Sequence, residues 1–358
     1  MKKLFLAALL MITGYGICDA QVVLKHTDNH IFYMGRVDVQ PDKAMLSWSG
    51  SSVKINFKGS SVKALLQDQA GFNFYNVLVD GKLVKKIALD KTKHYYPLVS
   101  DLPEGKHTLE LFKLTEWVMG KTWFYEFDID GNAEVLPAPV AKKRKIEFFG
   151  NSITCGYAVL DTTGQDRGSA LFEDNYKAYG AITARHFDAD YHCIARSGIG
   201  LMISWFPLIM PELYDRLDPF DAQKKWNFNN YTPDVVVINL FQNDAALVTQ
   251  PQLPEFKVRF GDKAPTGTEI VKAYQKFVGS LRAVYPNAHI ICALGSMDAS
   301  RENSPWTGYI RQAVAGLHDK KINSLIFRYK NTPGHPSAKE QQVMANQLIT
   351  FIEKNVKW

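Results

Sequence analysis

KIEFFGNSITCG, residues 145–156, joins a short apolar segment to a serine that lies between two glycines. The apolar segment, Lys145–Phe149, predicts a buried strand. Ser152 then enters a turn whose glycines permit the tight backbone that an exposed, reactive hydroxyl needs. Gly-Asn-Ser is also ordinary turn chemistry, so this stretch by itself leaves a purely structural serine open.

Predicted strands and helices alternate from this stretch to the end of the chain. Apolar residues recur at helical spacing over Thr268–Tyr285, and Ser337 opens a capping box for a last helix. This alternation predicts a parallel sheet with helices on both faces, and such sheets bind ligands beyond the carboxyl ends of their strands. The predicted strands are Lys145–Phe149, Tyr191–Ala195, Asp234–Leu240, His289–Leu294 and Ile322–Phe327.

The sequence before this stretch has a period of two instead. Apolar and polar residues alternate in Val53–Lys58, and Asp80-Gly81 separates two such runs, which indicates a two-residue hairpin. Many short strands without a long helical period predict an antiparallel sandwich. We therefore predict an α/β fold whose helix-flanked parallel sheet is preceded by an N-terminal β-sandwich of the jelly-roll type.

The first twenty residues have the composition of a secretory signal peptide. Lys2 and Lys3 precede a short apolar run, and small residues stand three and one positions before Gln21. This pattern predicts a signal peptide over 1–20 and a secreted or periplasmic protein, with lipid anchoring through Cys18 as the alternative. The mature chain then divides into a sandwich over 21–137, a proline-containing linker over 138–144 and a catalytic domain over 145–358.

Composition argues against several classes of protein. The net charge of +6 is spread along the chain, whereas a nucleic-acid-binding protein has a denser basic footprint. No apolar stretch after the N-terminal segment is long enough to span a membrane. Three cysteines remain after cleavage, with no Cys or His at ligand spacing, so we predict buried thiols and no metal site. The oligomeric state is left open. The three cysteines are Cys155, Cys193 and Cys292.

Two more loops place polar side chains beyond predicted strands or before a helix. Asn243 follows the strand Asp234–Leu240, where a side-chain amide can donate to a developing oxyanion, although an Asx turn is the commoner structure there. His335 stands two residues before Ser337, the predicted N-cap of the last helix. The positive end of that helix disfavours an imidazolium and keeps the ring neutral, as a general base requires. A loop histidine without a role is the alternative.

The order of these residues resembles the SGNH (GDSL-like) hydrolase superfamily. Asn151 replaces the usual aspartate of its first block, and Phe241 stands where glycine is usual in its third. The preceding sandwich and the heptapeptide Met210–Arg216 are similar to carbohydrate esterase family 2, whose members remove acetyl groups from plant polysaccharides. The superfamily blocks correspond to Gly150–Thr154, Ser197–Gly200, Asn243-Asp244 and His335.

This resemblance implies a serine-esterase site without a metal or organic cofactor. Ser152 is the implied nucleophile and His335 the implied base. The implied oxyanion donors are the backbone N–H of Ser152, the side chain of Asn243, and a backbone N–H at Gly198 or Gly200, because the glycine block aligns in two registers.

One position departs from the superfamily pattern. The aspartate that usually stands three residues before the histidine is Thr332 here, and no Asp or Glu lies between Asp319 and Glu340. We therefore expect a Ser-His dyad whose imidazole is held by a backbone carbonyl, which stabilises the imidazolium less than a carboxylate does. Asp298, in the loop after a strand, is the alternative acid.

Three side chains are candidates for sugar binding. Trp306 and Trp205 are predicted to lie in loops, where their faces can stack on sugar rings, and Asp244 can bond a sugar hydroxyl; a structural role is the alternative for each. The expected partner is an acetylated polysaccharide or oligosaccharide, xylan or glucomannan. Two rivals stay open: a lipase or thioesterase on the same scaffold, and a glycan-binding protein whose esterase site has decayed, which the missing acid and Phe241 favour.

Overall fold

The computed structural model describes residues 21–130 and 133–358. The predicted signal peptide over 1–20 lies outside the described residues. No helix within them has the length and apolar character needed to cross a bilayer.

Twelve short strands make up the first part of the described chain. Val53, Ile55 and Phe57 are fully buried and alternate with partly exposed residues, which confirms the predicted period of two. The strands are β1 (Val22–Lys25), β2 (Phe32–Met34), β3 (Val37–Val39), β4 (Ala44–Leu46), β5 (Ser52–Lys58), β6 (Ser61–Asp68), β7 (Phe74–Val79), β8 (Lys82–Ala88), β9 (His94–Val99), β10 (Lys106–Lys113), β11 (Thr122–Asp130) and β12 (Glu134–Val135).

These strands form two antiparallel sheets whose inner faces share one apolar core. One sheet has the order β3-β4-β11-β6-β9, with β1 paired to β11, and the other has the order β12-β5-β10-β7-β8, with β2 paired to β5. Asp80 and Gly81 join β7 to β8 with φ of +52° and +76°, as the hairpin prediction requires. The predicted sandwich is confirmed, whereas the jelly-roll connectivity and the domain bounds stay predictions.

The second part of the described chain is a parallel sheet between helices, as predicted. Its strands are β13 (Arg144–Gly150), β14 (Ala189–Ala195), β15 (Val235–Asn239), β16 (His289–Leu294) and β17 (Ile322–Ile326), in the order β14-β13-β15-β16-β17. Its helices are α1 (Ser152–Cys155), α2 (Tyr179–His186), α3 (Met210–Leu213), α4 (Gln242–Leu247), α5 (Pro254–Phe260), α6 (Gly267–Val284), α7 (Pro305–Leu317) and α8 (Ala338–Asn355).

A buried ion pair joins the sandwich to the parallel sheet. Arg36 Nη2 lies 3.0 Å from Glu147 Oε1, and both side chains are fully buried. Arg36 Nη1 also donates to the carbonyls of Tyr214 at 2.6 Å and Arg216 at 3.0 Å. The heptapeptide that carries the family resemblance, Met210–Arg216, is therefore a contact between the two halves of the molecule.

Candidate active site

Ser152 and His335, 183 positions apart in the sequence, meet beyond the carboxyl end of β13. The distance between Ser152 Oγ and His335 Nε2 is 2.7 Å. The strand that delivers Ser152 lies between β14 and β15, so the loops after those two strands flank the serine. A hydroxyl bonded to an imidazole is the geometry of a nucleophile and its general base.

The turn that presents Ser152 is fixed by its neighbours in sequence. The side chain of Asn151 caps α1 by accepting the N–H of Ile153 at 3.1 Å. A Cβ at Gly150 would lie 2.0 Å from Thr154 Oγ1, so only glycine fits there. Both features hold Ser152 at the first position of a helix, where its own N–H is not used within the helix.

Asp166 supplies the acid that the sequence analysis did not find. His335 Nδ1 lies 2.8 Å and 2.7 Å from the two Asp166 carboxylate oxygens, and the backbone N–H of His335 donates to Oδ1 at 2.9 Å. The expected dyad held by a carbonyl is thus corrected to a serine, a histidine and an aspartate in series. Asp298 instead bonds Arg301, and Thr332 bonds Glu340.

The ionised form of Asp166 is favoured by its partner. Burial raises the pKa of Asp166, but the hydrogen bonds and charge of His335 lower it further, so that it lies below its ordinary value. Asp161 shapes the loop that carries this carboxylate, because it accepts from the backbone of Arg167 at 2.9 Å and its guanidinium at 2.8 Å. Gly334, at φ +68°, lets His335 approach the loop closely.

Sequence reasoning missed Asp166 because it searched near the histidine. Asp166 lies 169 residues before His335, in a polar segment that follows α1 and carries no periodic pattern. The only available signal was its place in a loop after the first strand of the sheet, the edge at which catalytic side chains gather.

The glycine loop presents one free N–H group rather than two. The N–H of Gly200 donates to Ser204 Oγ at 2.9 Å, and a Cβ there would lie 1.9 Å from the Ile203 carbonyl. Among the described residues no acceptor contacts the N–H of Gly198, which has φ +79° and is partly exposed. The prediction that Gly200 could donate to the oxyanion is therefore wrong, because its N–H is already bonded to Ser204. Gly198 remains the candidate oxyanion donor of this loop.

Asn243 is held against the glycine loop with its amide oriented. Its Nδ2 donates to the Ile199 carbonyl at 2.7 Å, and its Oδ1 accepts Trp205 Nε1 at 3.1 Å. These contacts use one amide hydrogen and leave the second for an oxyanion. Phe241 takes a left-handed φ of +78° just before α4.

The ring of Phe241 explains how a bulky residue fits where glycine is usual. It is fully buried, with its centroid 4.8 Å from that of Tyr274 and 5.0 Å from that of Trp306. This packing offsets the strain of the left-handed backbone.

Two predicted sugar contacts are corrected. Asp244 is fully buried, and its carboxylate accepts the backbone N–H groups of Leu201, Met202 and Ile203 at 2.6–3.2 Å. It shapes the glycine loop and cannot reach a sugar. Trp306 is 7% exposed and lies in the first turn of α7 against Phe241.

Trp205 remains a candidate for sugar binding. It is 51% exposed and lies beside Asn243, which holds its indole N–H. An aromatic face that is both exposed and oriented suits stacking on a sugar ring.

One group of side chains has the spacing of metal ligands in the described ranges 21–130 and 133–358. Atoms of Glu116, Cys155 and Glu173 lie within 4.8 Å of one another, and all three residues are buried. Burial raises the pKa of the Cys155 thiol well above its usual value, which favours the protonated form that does not bind metals. Cys193 and Cys292, the other cysteines among the described residues, are also buried free thiols, as predicted.

The chain is similar to known esterases in sequence. A family profile described as "Carbohydrate esterase 2 N-terminal" matches residues 33–139. The cellulase/esterase CelE of Acetivibrio thermocellus is 34% identical over 342 residues, which cover 92% of this chain and 40% of CelE, so the chain spans less than half of that relative. An acetylxylan esterase / glucomannan deacetylase of Cellvibrio japonicus is 25% identical over 377 residues, covering 100% of both chains.

The fold is similar to a solved member of the same family. A family two carbohydrate esterase from Clostridium thermocellum, in complex with cellohexaose, superposes with a TM-score of 0.80. It is 33% identical, and the match covers 90% of this chain and 98% of that one. The chain therefore belongs to carbohydrate esterase family 2, among the carboxylic-ester hydrolases with the SGNH fold, as the sequence resemblance predicted.

Proposed function

We propose that the protein is a carbohydrate O-acetylesterase whose site consists of Ser152, His335 and Asp166. The observation that carries the proposal is the unbroken series of contacts from Ser152 Oγ through both nitrogens of His335 to the Asp166 carboxylate. A nucleophile bonded to a base, and a base bonded to an orienting acid, is the arrangement of acyl transfer. The relatives named as acetylxylan esterase / glucomannan deacetylase support an acetylated sugar as substrate.

The first half of the reaction forms an acetyl-enzyme. Ser152 Oγ attacks the acetyl carbonyl while His335 Nε2 takes its proton. The carbonyl oxygen becomes an oxyanion, which accepts hydrogen bonds from the N–H groups of Ser152 and Gly198 and from the Asn243 amide. The bond to the sugar oxygen then breaks, and the sugar leaves with the proton from His335.

The second half releases acetate. Water attacks the acetyl group on Ser152, and His335 takes a proton from that water and returns it to the serine oxygen. Asp166 stays ionised throughout and stabilises the imidazolium that forms in each half. These steps use neither a metal nor an organic cofactor.

Acetylated xylan, glucomannan and their oligosaccharides are the proposed substrates, and the predicted signal peptide supports action outside the cytoplasm. Trp205 is the proposed sugar platform, because its exposed ring is hydrogen-bonded to Asn243, the proposed donor to the acyl oxygen. A stacked sugar would therefore be placed relative to the oxyanion donors.

Acetate release from acetylated xylan and glucomannan tests the proposal. The change Ser152→Ala is expected to lower kcat by about 10⁴- to 10⁶-fold without a lower melting temperature, because only the nucleophile is lost. Ser280→Ala, on α6, is the matched control and should retain full activity. Persistent activity in the Ser152 variant would show that the nucleophile is misassigned. A preference for octanoyl over acetyl nitrophenyl esters would favour the lipase or thioesterase alternative.

The glycan-binding alternative is tested with a fluorophosphonate probe. That alternative depended on a missing acid and on Phe241, but Asp166 occupies the acid position and Phe241 is packed without displacing Asn243. The probe is expected to label the wild-type protein and not the Ser152→Ala variant. An unlabelled wild-type protein that still bound acetylated glycan would be a binding protein instead.

A further inference from the structure

A carboxyl group from the sandwich reaches the loop and the helix that flank the proposed oxyanion site. Glu116 follows β10 and is 0% exposed. Its Oε2 accepts the backbone N–H of Ser197 at 2.8 Å and lies 3.8 Å from Cys155 Sγ. Ser197 directly precedes Gly198, and Cys155 ends the short helix that Ser152 begins, so one carboxyl contacts both segments that carry the backbone donors.

A second carboxyl group from the catalytic half holds Glu116 in place. The backbone N–H of Glu116 donates to Glu173 Oε1 at 2.7 Å. The remaining oxygens, Glu116 Oε1 and Glu173 Oε2, are buried and have no partner within the described chain. Carboxylates this close cannot both be ionised away from water without strong repulsion, and burial raises the pKa of each. Burial therefore favours the protonated form in this pair of carboxyl groups.

Among the described residues, the other side chains that form hydrogen bonds with residues 197–203 come from the catalytic half. Ser204 accepts the N–H of Gly200, Asn243 donates to the Ile199 carbonyl, and Asp244 accepts three N–H groups further along. None of these contacts involves Ser197, whose backbone N–H is held by Glu116. The residue next to the candidate donor Gly198 is thus held from the sandwich.

We propose that Glu116 is a positioning residue of the esterase site, which holds Ser197 so that the N–H of Gly198 faces the acyl oxygen. This inference rests on the proposed function, because it assigns Gly198 to the oxyanion. It gives the sandwich a part in catalysis, through a hydrogen bond to the loop rather than through contact with substrate. Removing the hydrogen bond lets the loop shift, and displacements of about 1 Å near a reacting centre can cost about 100-fold in rate.

Three substitutions at Glu116 distinguish the effect of its side-chain length, which brings an oxygen to the Ser197 N–H, from the effect of its negative charge. Glu116→Gln keeps an oxygen for the Ser197 N–H, and its amide nitrogen can donate to Glu173, so kcat should stay near the wild-type value. Glu116→Asp keeps the charge but is one methylene too short, and Glu116→Ala removes the acceptor. Both should lower kcat for nitrophenyl acetate by about 10- to 100-fold, with KM nearly unchanged. Glu110→Gln, at a partly exposed glutamate of β10 that pairs with Lys54, is the control and should leave kcat unchanged.

The results distinguish this inference from the proposed function. A wild-type protein that releases no acetate would contradict the proposed function itself. An active wild-type protein whose folded Asp and Ala variants keep full kcat would overturn the role of Glu116 alone. If the Ala variant does not fold, the Asp and Gln variants still decide the matter. An Asp variant as fast as the wild-type protein would overturn the role of Glu116, and so would a Gln variant as slow as the Asp variant, because Gln keeps the oxygen that accepts the Ser197 N–H.

Discussion

The two sides of Ser152 are held in opposite ways. On one side, His335 and Asp166 lie on loops, with side chains 17% and 31% exposed, and depend on a few contacts with each other. On the other, Asn243 and the glycine loop are held by a network that includes the fully buried Asp244. The first side is open enough for water to replace a lost partner, whereas Asp244, which holds the glycine loop on the second side, is closed off from water. The base side is therefore adjustable, while the oxyanion side is preorganised.

Of the changes that test this comparison, removing the base is expected to lower kcat most. His335→Ala should lower kcat by about 10⁴-fold or more, because no other group lies at hydrogen-bond distance from Ser152 Oγ among the described residues. The residual rate reports the oxyanion side alone. Initial rates of acetate release measure it, and His186→Ala, an exposed histidine of α2, is the control. A loss below tenfold would mean that another group acts as the base.

Substitutions at Asp166 test whether a water molecule can replace its carboxylate as the hydrogen-bond partner of His335. In Asp166→Asn the amide can donate to Nδ1, which moves the ring proton to Nε2 and removes the base, so kcat should fall about 10³- to 10⁴-fold. In Asp166→Ala a water molecule can accept from Nδ1, so the loss should be smaller. Asp298→Asn is the control, because its carboxylate bonds Arg301 instead. If kcat fell equally in the two Asp166 variants, water would not replace the carboxylate, and the base side would not be adjustable.

The same contrast explains what the sequence could predict. Ser152, Asn243 and His335 each stand beside a strand end or a helix start, so periodic patterns locate them. Asp166 comes close to His335 only through the path of an irregular loop, which no local pattern encodes. Asp244 and Trp306 were placed near the correct edge, but their side chains turn into the core. For Trp306 a signal was present, since Ser304-Pro305 is a helix start and makes the tryptophan part of a packed helix.

Asn243 tests the oxyanion side. Asn243→Ala should lower kcat by about 10²- to 10³-fold with little change in KM, because the donor acts on charge that develops in the transition state. It also frees the Trp205 indole, so Trp205→Phe, which removes that hydrogen bond but keeps an aromatic ring, is the matched control with nitrophenyl acetate and should cost less. If Asn243→Ala raised KM and left kcat unchanged, Asn243 would bind substrate in the ground state instead.

The smallest expected effect is a change in stability with pH at Asp244, which tests how completely the oxyanion side excludes water. Burial raises the pKa of Asp244 to about 6, although backbone N–H groups oppose the shift, whereas an exposed aspartate titrates near 3.8. Because the pKa of Asp244 is higher in the folded protein than in the unfolded chain, protonation of Asp244 favours the folded state. This stabilisation is complete below pH 3.8 and is lost as the pH rises through about 6. Between those values the wild-type protein should lose about 1–3 kcal/mol of unfolding free energy relative to Asp244→Asn, which cannot titrate. Urea unfolding of both proteins from pH 4 to pH 7 measures the difference. A pH-independent difference would mean that the three N–H groups fully compensate the loss of water, and the oxyanion side would then owe its rigidity to hydrogen bonds alone.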